Sequence, residues 1–162
     1  MDQAYFSQYF HYDPETGQLT WAISRSNQVR AGTPIKGINN NGYIVLQLLG
    51  KDFYAHRIAM IMAGVDLKPT DYVDHINNVR TDNRIVNLRI ATNSQNAQNS
   101  KLRKHNQSGF KGAKLQKNGR YGSRIIVNKK AYWLGTYATA QEAHEVYKEA
   151  SIRMHGEFGR FE

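Results

Sequence analysis

Hydrophobic and polar positions alternate in short segments through the first half of the chain. Residues 18–22 and 86–92 show the period-two alternation that is typical of a strand with one buried face, and the mostly apolar residues 43–49 are also predicted to form a strand. Turn residues separate these segments, first at 13–17 and again at 39–42, where Asp, Asn, Pro and Gly favour tight reversals. The pattern therefore predicts short strands joined by turns rather than long helices.

One mostly apolar segment in this half, residues 56–63, predicts a buried helix that ends at Gly64. We expect a hairpin turn at 50–52 to lead back into a strand at 53–55 just before this helix. His56 opens the helix. We interpret it as a packed, hydrogen-bonded residue, with participation in a functional site as the alternative.

The second half predicts three strands followed by one helix. The strand segments are 110–116, 120–127 and 131–137, with turns at Asn118-Gly119 and Lys129-Lys130. The helix begins at Thr139, which forms a capping box with Glu142. An apolar stripe along this helix is expected to pack on the sheet, and its members are Ala143, Tyr147, Ala150 and Met154. The fold class is therefore α+β, with the second half a three-stranded antiparallel sheet on one helix.

Charge adds a prediction about the partner. The 162 residues carry a net charge of +9, and no Asp or Glu occurs from Asn83 to Gln141. Such one-sided charge repels itself unless an anion compensates it, which indicates binding to nucleic acid. Residues 100–107 lack apolar periodicity and are interpreted as a basic linker. Its candidate DNA contacts are Lys101, Arg103 and Lys104.

Several classes of protein are disfavoured by composition. The chain has no cysteine, so neither a disulfide nor a zinc–thiolate site can form. No apolar run approaches the roughly 20 residues of a membrane-spanning helix, and the first residues do not form a signal peptide. We expect a soluble cytoplasmic protein with no membrane partner.

Candidate chemistry lies at Asp74-His75, at the end of a predicted strand. Successive strand side chains point to opposite faces, so one residue can hold a metal while the other meets an attacking water. An isolated Asp-His pair is more often a surface or capping residue. Here, however, a polar loop follows at residues 77–84, and then Asn87 on a strand and Asn96 on the first turn of a predicted helix.

This order of residues resembles the HNH endonucleases and their ββα-metal motif. The resemblance implies that His75 is the general base, and that Asp74 and Asn96 bind one divalent ion. It also implies that Asn87 braces the motif and orients the histidine. Ser100 stands where colicin-type relatives have a second histidine. The chain is therefore more similar to the homing endonucleases of phages and introns, and an oxygen-rich site suits Mg²⁺ or Mn²⁺.

The C-terminal segment resembles the DNA-binding domain of plant ethylene-response-factor (Apetala-like) proteins. The similar segments are 108–112, 132–137, 140–143 and 155–158. In that family the sheet lies in the major groove, which implies five DNA-contact candidates: Lys111, Lys114, Gln116, Arg124 and Trp133. Gln116 and Arg124 depart from the plant pattern, so the base preference of the plant proteins does not transfer. Trp133 as a purely packed aromatic is the alternative.

Together these features predict a nuclease domain at 1–99, a linker at 100–107 and a DNA-binding domain at 108–162. The expected reaction is metal-dependent hydrolysis of one DNA strand per active site, leaving 5′-phosphate and 3′-hydroxyl ends. The protein would act on double-stranded DNA as a monomer or homodimer, encoded by a phage in a bacterial host. The alternatives are a catalytically inactive DNA-binding regulator and, less favoured, an RNA-binding protein.

Overall fold

The computed structural model describes residues 1–100, 102 and 105–161, and the chain divides into two compact units, Met1–Ala91 and Thr92–Glu162. The first unit consists of short helices and strands: α1 Gln3–Ser7, β1 Phe10–Tyr12, β2 Leu19–Trp21, β3 Val45–Leu48, β4 Lys51–Tyr54, α2 Ala55–Met62, β5 Tyr72–His75, a 3-10 helix Ile85–Asn87, and β6 Leu88–Ala91. The second unit contains α3 Asn93–Gln98, β7 Ala113–Leu115, β8 Tyr121–Val127, β9 Lys130–Tyr137, α4 Ala140–His155, and a 3-10 helix Gly156–Phe158.

The strands of the first unit form three separate antiparallel pairs, β1–β2, β3–β4 and β5–β6. The turn between β3 and β4 is Leu49-Gly50, because Leu48 pairs with Lys51. Both turn residues have positive φ, 49° and 76°, as a tight two-residue hairpin requires. The predicted turn at 50–52 was therefore placed one residue too late, and Ala55 starts α2 instead of ending a strand.

Helix α2 joins the two hydrophobic clusters of the first unit. Its residues Ala55 and Ile58 belong to the larger cluster, which also contains Phe6, Phe10 and Trp21. The next residues, Ala59 and Met60, belong to the smaller cluster with Val73 and Leu88, one from each strand of the β5–β6 pair. Burial on both sides fixes α2 against the end of β5, where the candidate chemistry lies.

The strand predicted at residues 86–92 begins two residues later in the structure. Val86 and Asn87 lie in the 3-10 helix, and the β ladder begins only at Leu88, which pairs with His75. The backbone N–H of Asn87 donates locally to Arg84 O at 2.9 Å, while its carbonyl accepts from Ile76 N at 2.9 Å just beyond the end of the ladder. Asn87 therefore belongs to the connecting loop.

The second unit packs α4 on one face of the β7–β8–β9 sheet. The capping box at the start of α4 is confirmed, because the Thr139 hydroxyl accepts from Glu142 N and the Glu142 side chain accepts from Thr139 N. Ile125 of the sheet and Tyr147 and Ala150 of the helix are buried together. The predicted stripe is thus core.

Two details of this sheet differ from the prediction. The turn between β8 and β9 is Asn128-Lys129, both with positive φ, so Lys130 begins β9. The first strand is shorter than expected because Gly112 has a φ of +81°, outside the extended region, and a side chain at this position would meet the Tyr147 ring.

The boundary between the units lies before α3, whereas the sequence places it at residues 99 and 100. The C-terminal end of α3 is hydrogen-bonded to a residue further along the second unit, Lys111. Lys111 Nζ donates to Gln98 O at 3.0 Å and to Ser100 O at 2.6 Å. These bonds satisfy carbonyls that a helix end leaves without partners.

Within the described part of the chain, no helix combines the length and the apolar character needed to cross a bilayer.

Candidate active site

Asp74 and His75 form the end of β5, and both are buried, at 5% and 4% exposure. Asp74 pairs across the hairpin with Arg89, and this pairing brings their side chains together. The guanidinium donates from Nε and Nη2 to the same carboxylate oxygen, Oδ2, at 2.9 Å each. The carboxylate is therefore held in one orientation by a partly desolvated ion pair.

The His75 ring lies among polar and aromatic groups. Its Nε2 atom is 3.0 Å from Asn83 Oδ1. The His56 ring stands edge-on at 5.2 Å between centroids, and Tyr43 lies at 5.9 Å. Burial lowers the pKa of His75, and the Asn83 bond and the Asp74 charge partly oppose that shift. The free protein thus holds a neutral imidazole, the form that can accept a proton.

His56 is packed, as expected, and is 7% exposed, and the ring against which it lies is that of the candidate base His75. The His56 ring also contacts Tyr54 at 5.3 Å. The expected hydrogen bond is absent at Nδ1, which has no partner among the described residues. Burial, followed by the His75 and Arg57 charges, lowers the pKa of His56 to about 3.

The low pKa of His56 predicts a specific acid sensitivity of the fold. In the unfolded chain the His56 imidazole binds a proton below its ordinary pKa of about 6.5. In the folded chain it binds that proton only near pH 3. Stability should fall across that window by up to about 1.4 kcal/mol for each pH unit from this group alone. In His56→Phe the slope should be shallower, as measured by urea unfolding at several pH values.

The matched control for this measurement is the exposed His11, which should leave the slope unchanged when replaced by Phe. His75 also contributes to the acid loss, so the His56 variant retains part of the slope. An unchanged slope in His56→Phe would show that His56 is protonated normally in the folded protein.

Asn87 braces the loop between β5 and β6. Its side-chain oxygen accepts from Asn77 N at 3.0 Å, and its amide donates to Asp82 O at 2.8 Å. These bonds fix the two ends of the loop to each other, and the bracing role that the resemblance implies stays a prediction. The side chain that accepts from the His75 ring is Asn83 instead, through Oδ1.

Asn83 is the site residue that the sequence interpretation missed. It is 2% exposed. In the sequence it lies in a polar loop with other asparagines, where turn-forming and buried amides have the same chemistry. Nothing in a single sequence distinguishes it, and only the folded loop places its amide against the imidazole.

Asn96, the second expected metal ligand, lies on the first turn of α3 in the second unit. Its backbone N–H donates to Thr92 O at 2.9 Å, and the residue is half-buried. Asp74 supplies a carboxylate and Asn96 an amide oxygen, which are the hard oxygen donors that Mg²⁺ and Mn²⁺ prefer. The donor chemistry thus fits such an ion. Within the described ranges, no three His, Asp or Glu side chains cluster to bind a metal by themselves.

A second candidate surface is the face of the β7–β8–β9 sheet turned away from α4. Ser123 and Ile125 are buried beneath the helix, so the alternate residues of β8, including the exposed Arg124, point outward. Arg124 pairs with Trp133, which is 60% exposed, and Lys114 pairs with Gly122. The outward face therefore collects a cation from each of two strands and an exposed indole.

Gly122 allows two of the predicted DNA-contact side chains to lie across β8. A Cβ atom at this position would stand 2.5 Å from both Gln116 Nε2 and Trp133 Cη2. The structure thus brings Lys114, Gln116, Arg124 and Trp133 to one face. The exposure of Trp133 also speaks against a purely packed role.

Lys111 differs from the other DNA-contact candidates. Its ammonium holds the end of α3, and burial lowers its pKa to about 8. The structure gives it this internal role, and the DNA contact that the resemblance implies stays a prediction. The linker candidates Lys101, Arg103 and Lys104 lie outside the described residues.

Comparison with protein families finds a match over part of the chain. Residues 53–98 match the model of a family described as HNH endonuclease. This range runs from β4 through α3 and includes Asp74, His75, Asn87 and Asn96.

Similar proteins come from a virus and from plants. An uncharacterized HNH endonuclease of Acanthamoeba polyphaga mimivirus is 30% identical over 122 residues, which cover 75% of this chain and 63% of that protein. Two AP2/ERF and B3 domain-containing transcription factors of Arabidopsis thaliana are 41% and 42% identical over 49 and 45 residues. These segments cover 30% and 28% of this chain, and 14% and 13% of the plant proteins. The chain thus spans less than two thirds of each of these relatives.

A solved structure of the HNH homing endonuclease I-HmuI, described by its DNA binding and cleavage, is also similar. The match has 19% identity and a TM-score of 0.43, and it covers 96% of this chain and 90% of that one.

Proposed function

We propose, on the premise that residues 53–98 form an HNH endonuclease domain, that this protein is a DNA endonuclease that hydrolyses phosphodiester bonds. The observation that carries the proposal is the buried Asp74-His75 pair inside the matched range. The two side chains are oriented by different partners, Arg89 and Asn83. Metal-assisted hydrolysis requires a fixed carboxylate to bind the metal and a neutral imidazole to accept a proton.

In this proposal His75 accepts a proton from the attacking water. The neutral state that burial favours supports this role. Asp74 and Asn96 would hold one Mg²⁺ or Mn²⁺ ion, which supplies positive charge at the phosphate when bound. Arg89 keeps the Asp74 carboxylate in place. Each chain has one general base and therefore one active site, which hydrolyses one strand. We therefore propose nicking by a monomer, with 5′-phosphate and 3′-hydroxyl ends.

Metal removal tests the reaction directly. Supercoiled DNA incubated with the protein and Mg²⁺ or Mn²⁺ should become open circular, and EDTA should stop the conversion. End labelling of the nicked strand should find a 5′-phosphate. Undiminished nicking in EDTA would contradict the metal-dependent mechanism, and a linear product formed without an open-circular intermediate would contradict nicking by a monomer.

The rival function is a DNA-binding regulator that has lost the reaction. The exposed cations and indole of the sheet face would serve that function equally well. It predicts retarded DNA in a gel with no nick under either metal. An RNA-binding protein is a weaker rival, since the deep, narrow major groove of A-form RNA does not admit a sheet.

We further propose that the outward face of the β7–β8–β9 sheet is the DNA reader. The short similarity to plant AP2/ERF proteins and the grouping of Lys114, Gln116, Arg124 and Trp133 support this assignment. The partner is double-stranded DNA, and the proposed setting is the cytoplasm of a bacterial host of a phage.

Single substitutions should separate phosphate contacts from base contacts on this face. Lys114→Ala should lower the slope of log affinity against log salt by about 0.9, if it meets one phosphate. Arg124→Ala should instead change the preferred site, at roughly 1–3 kcal/mol for a good base contact. Binding titrations at several salt concentrations, combined with mapping of the nicks, measure both effects.

Lys148→Ala on α4 is the control, because its ammonium lies on the helix that covers the other side of the sheet. Its removal should leave slope and site preference unchanged. Equal effects of Lys114→Ala and Lys148→Ala would show that affinity depends only on overall charge.

A further inference from the structure

The bond between His75 Nε2 and Asn83 Oδ1 joins two of the most buried polar side chains of the first unit. The atoms are 3.0 Å apart, and the residues are 4% and 2% exposed. A neutral imidazole carries one hydrogen, and an acceptor oxygen at Nε2 keeps that hydrogen on Nε2. The lone pair of the ring is then on Nδ1, so this bond determines which nitrogen can take a proton.

Asn83 is itself held by a residue from the N-terminal hairpin. Its backbone carbonyl accepts a hydrogen bond of 2.7 Å from the Tyr12 hydroxyl. Burial, with a smaller effect of the Asp13 and Asp82 charges, raises the pKa of Tyr12 to about 12, so the hydroxyl keeps its hydrogen near neutrality. A lasting donor therefore anchors the backbone that carries the Asn83 amide.

The turn between β1 and β2 packs directly against the same segment. Gly17 has a φ of +72°, and a Cβ atom there would stand 2.6 Å from Asn83 C and 2.4 Å from Arg84 N. Two residues further along, Ile85 N donates to Pro14 O at 3.1 Å. Backbone-to-backbone contact this close leaves the Asn83 segment little freedom to shift.

We propose that Asn83 is a positioning residue for His75, which selects the ring tautomer with Nδ1 as the proton acceptor, and that the β1–β2 turn holds Asn83 in place. This inference rests on the proposed function, because it assumes that His75 is the base. It assigns to Asn83 the orienting role that the resemblance implies for Asn87, whose own amide is engaged by Asn77 and Asp82.

The tautomer can be measured without any cleavage assay. Ring ¹⁵N NMR of histidine-labelled wild-type protein, at a mildly alkaline pH and with His75 assigned by a His75→Gln variant, should show the hydrogen on Nε2. In Asn83→Leu, which has no acceptor, the ring should populate both tautomers. Asn83→Asp keeps an acceptor oxygen and should keep the wild-type tautomer. A wild-type His75 ring with its hydrogen on Nδ1 would overturn the proposal.

Cleavage kinetics supply the second readout. Asn83→Leu should lower kcat by roughly 10- to 100-fold, with little change in the DNA concentration for half-maximal rate. Asn83→Asp should recover most of that loss at the same pH. Asn27 lies in an exposed bend, and its replacement by Leu or Asp serves as the control that should alter neither parameter.

The two levels of failure are distinguishable. If His75→Ala is inactive but Asn83→Leu keeps the wild-type tautomer and kcat, the positioning role is wrong and the proposed function stands. If His75→Ala cleaves normally, the assignment of the base fails first. Should Asn83→Leu not fold, the wild-type protein and Asn83→Asp decide the question. A His75 ring without the Nε2 hydrogen in either protein, or a kcat of Asn83→Asp far below that of the wild type, contradicts the proposal.

Discussion

His75→Ala should lower the rate of DNA cleavage by roughly two to four orders of magnitude, the usual contribution of a positioned general base. The affinity for DNA should stay close to that of the wild type, because the side chain is 4% exposed and adds almost nothing to the surface. Single-turnover nicking of supercoiled DNA under matched metal and pH measures the first quantity. Fluorescence anisotropy with labelled duplex DNA measures the second.

His11→Ala is the matched control for loss of an imidazole, since His11 is exposed on β1. It should nick at the wild-type rate. If His75→Ala nicks within a few-fold of the wild type, another group is the base. His56 would then be the next residue to test, because its ring lies 5.2 Å from the His75 ring.

Asp74→Ala should abolish cleavage and also destabilise the fold. The carboxylate accepts two hydrogen bonds from Arg89, whose side chain is only 12% exposed. Removing one partner of a buried ion pair leaves the other charge poorly solvated, at a cost of about 3–5 kcal/mol. Urea unfolding measures the loss of stability, and this measurement is needed beside the activity because unfolding would by itself lower the rate of cleavage.

The double variant Asp74→Ala with Arg89→Met separates the two effects. It removes the guanidinium charge, so most of the stability should return, because apolar replacements of a buried pair are often neutral. Cleavage should remain absent, since the carboxylate for the metal is still missing. Recovery of cleavage together with stability would show that Asp74 acts only through the fold. A stable, inactive double variant would support the role at the metal.

Local features of this fold could be predicted because local chemistry determines them. The capping box at Thr139 and the alternation through β2 depend on neighbours in the sequence. The turn at Leu49-Gly50 escaped prediction because a leucine with a φ of 49° carries no turn signal. There the pairing of the strands overrides the preference of the residue.

The site was predictable only in part, for a related reason. Asp74-His75 could be located because a polar loop, Asn87 and Asn96 follow it in the order of the ββα-metal motif. The loop asparagines could not be sorted by role, because each amide offers the same donors and acceptors. The choice of Asn83 over Asn87 as the partner of His75 depends on Tyr12 and Gly17, which are distant in sequence.

The bonds from Lys111 to the end of α3 limit how this chain can be recombined. A chimera joined at residue 99 would pair the helix of one parent with the lysine of another, and the carbonyls of Gln98 and Ser100 would depend on a foreign donor. A junction between residues 91 and 92 keeps helix and lysine together but divides the family-matched range. Neither junction yields interchangeable cassettes. An engineer who wishes to retarget the protein should therefore alter side chains on the sheet and leave the backbone from 92 to 111 with its own parent.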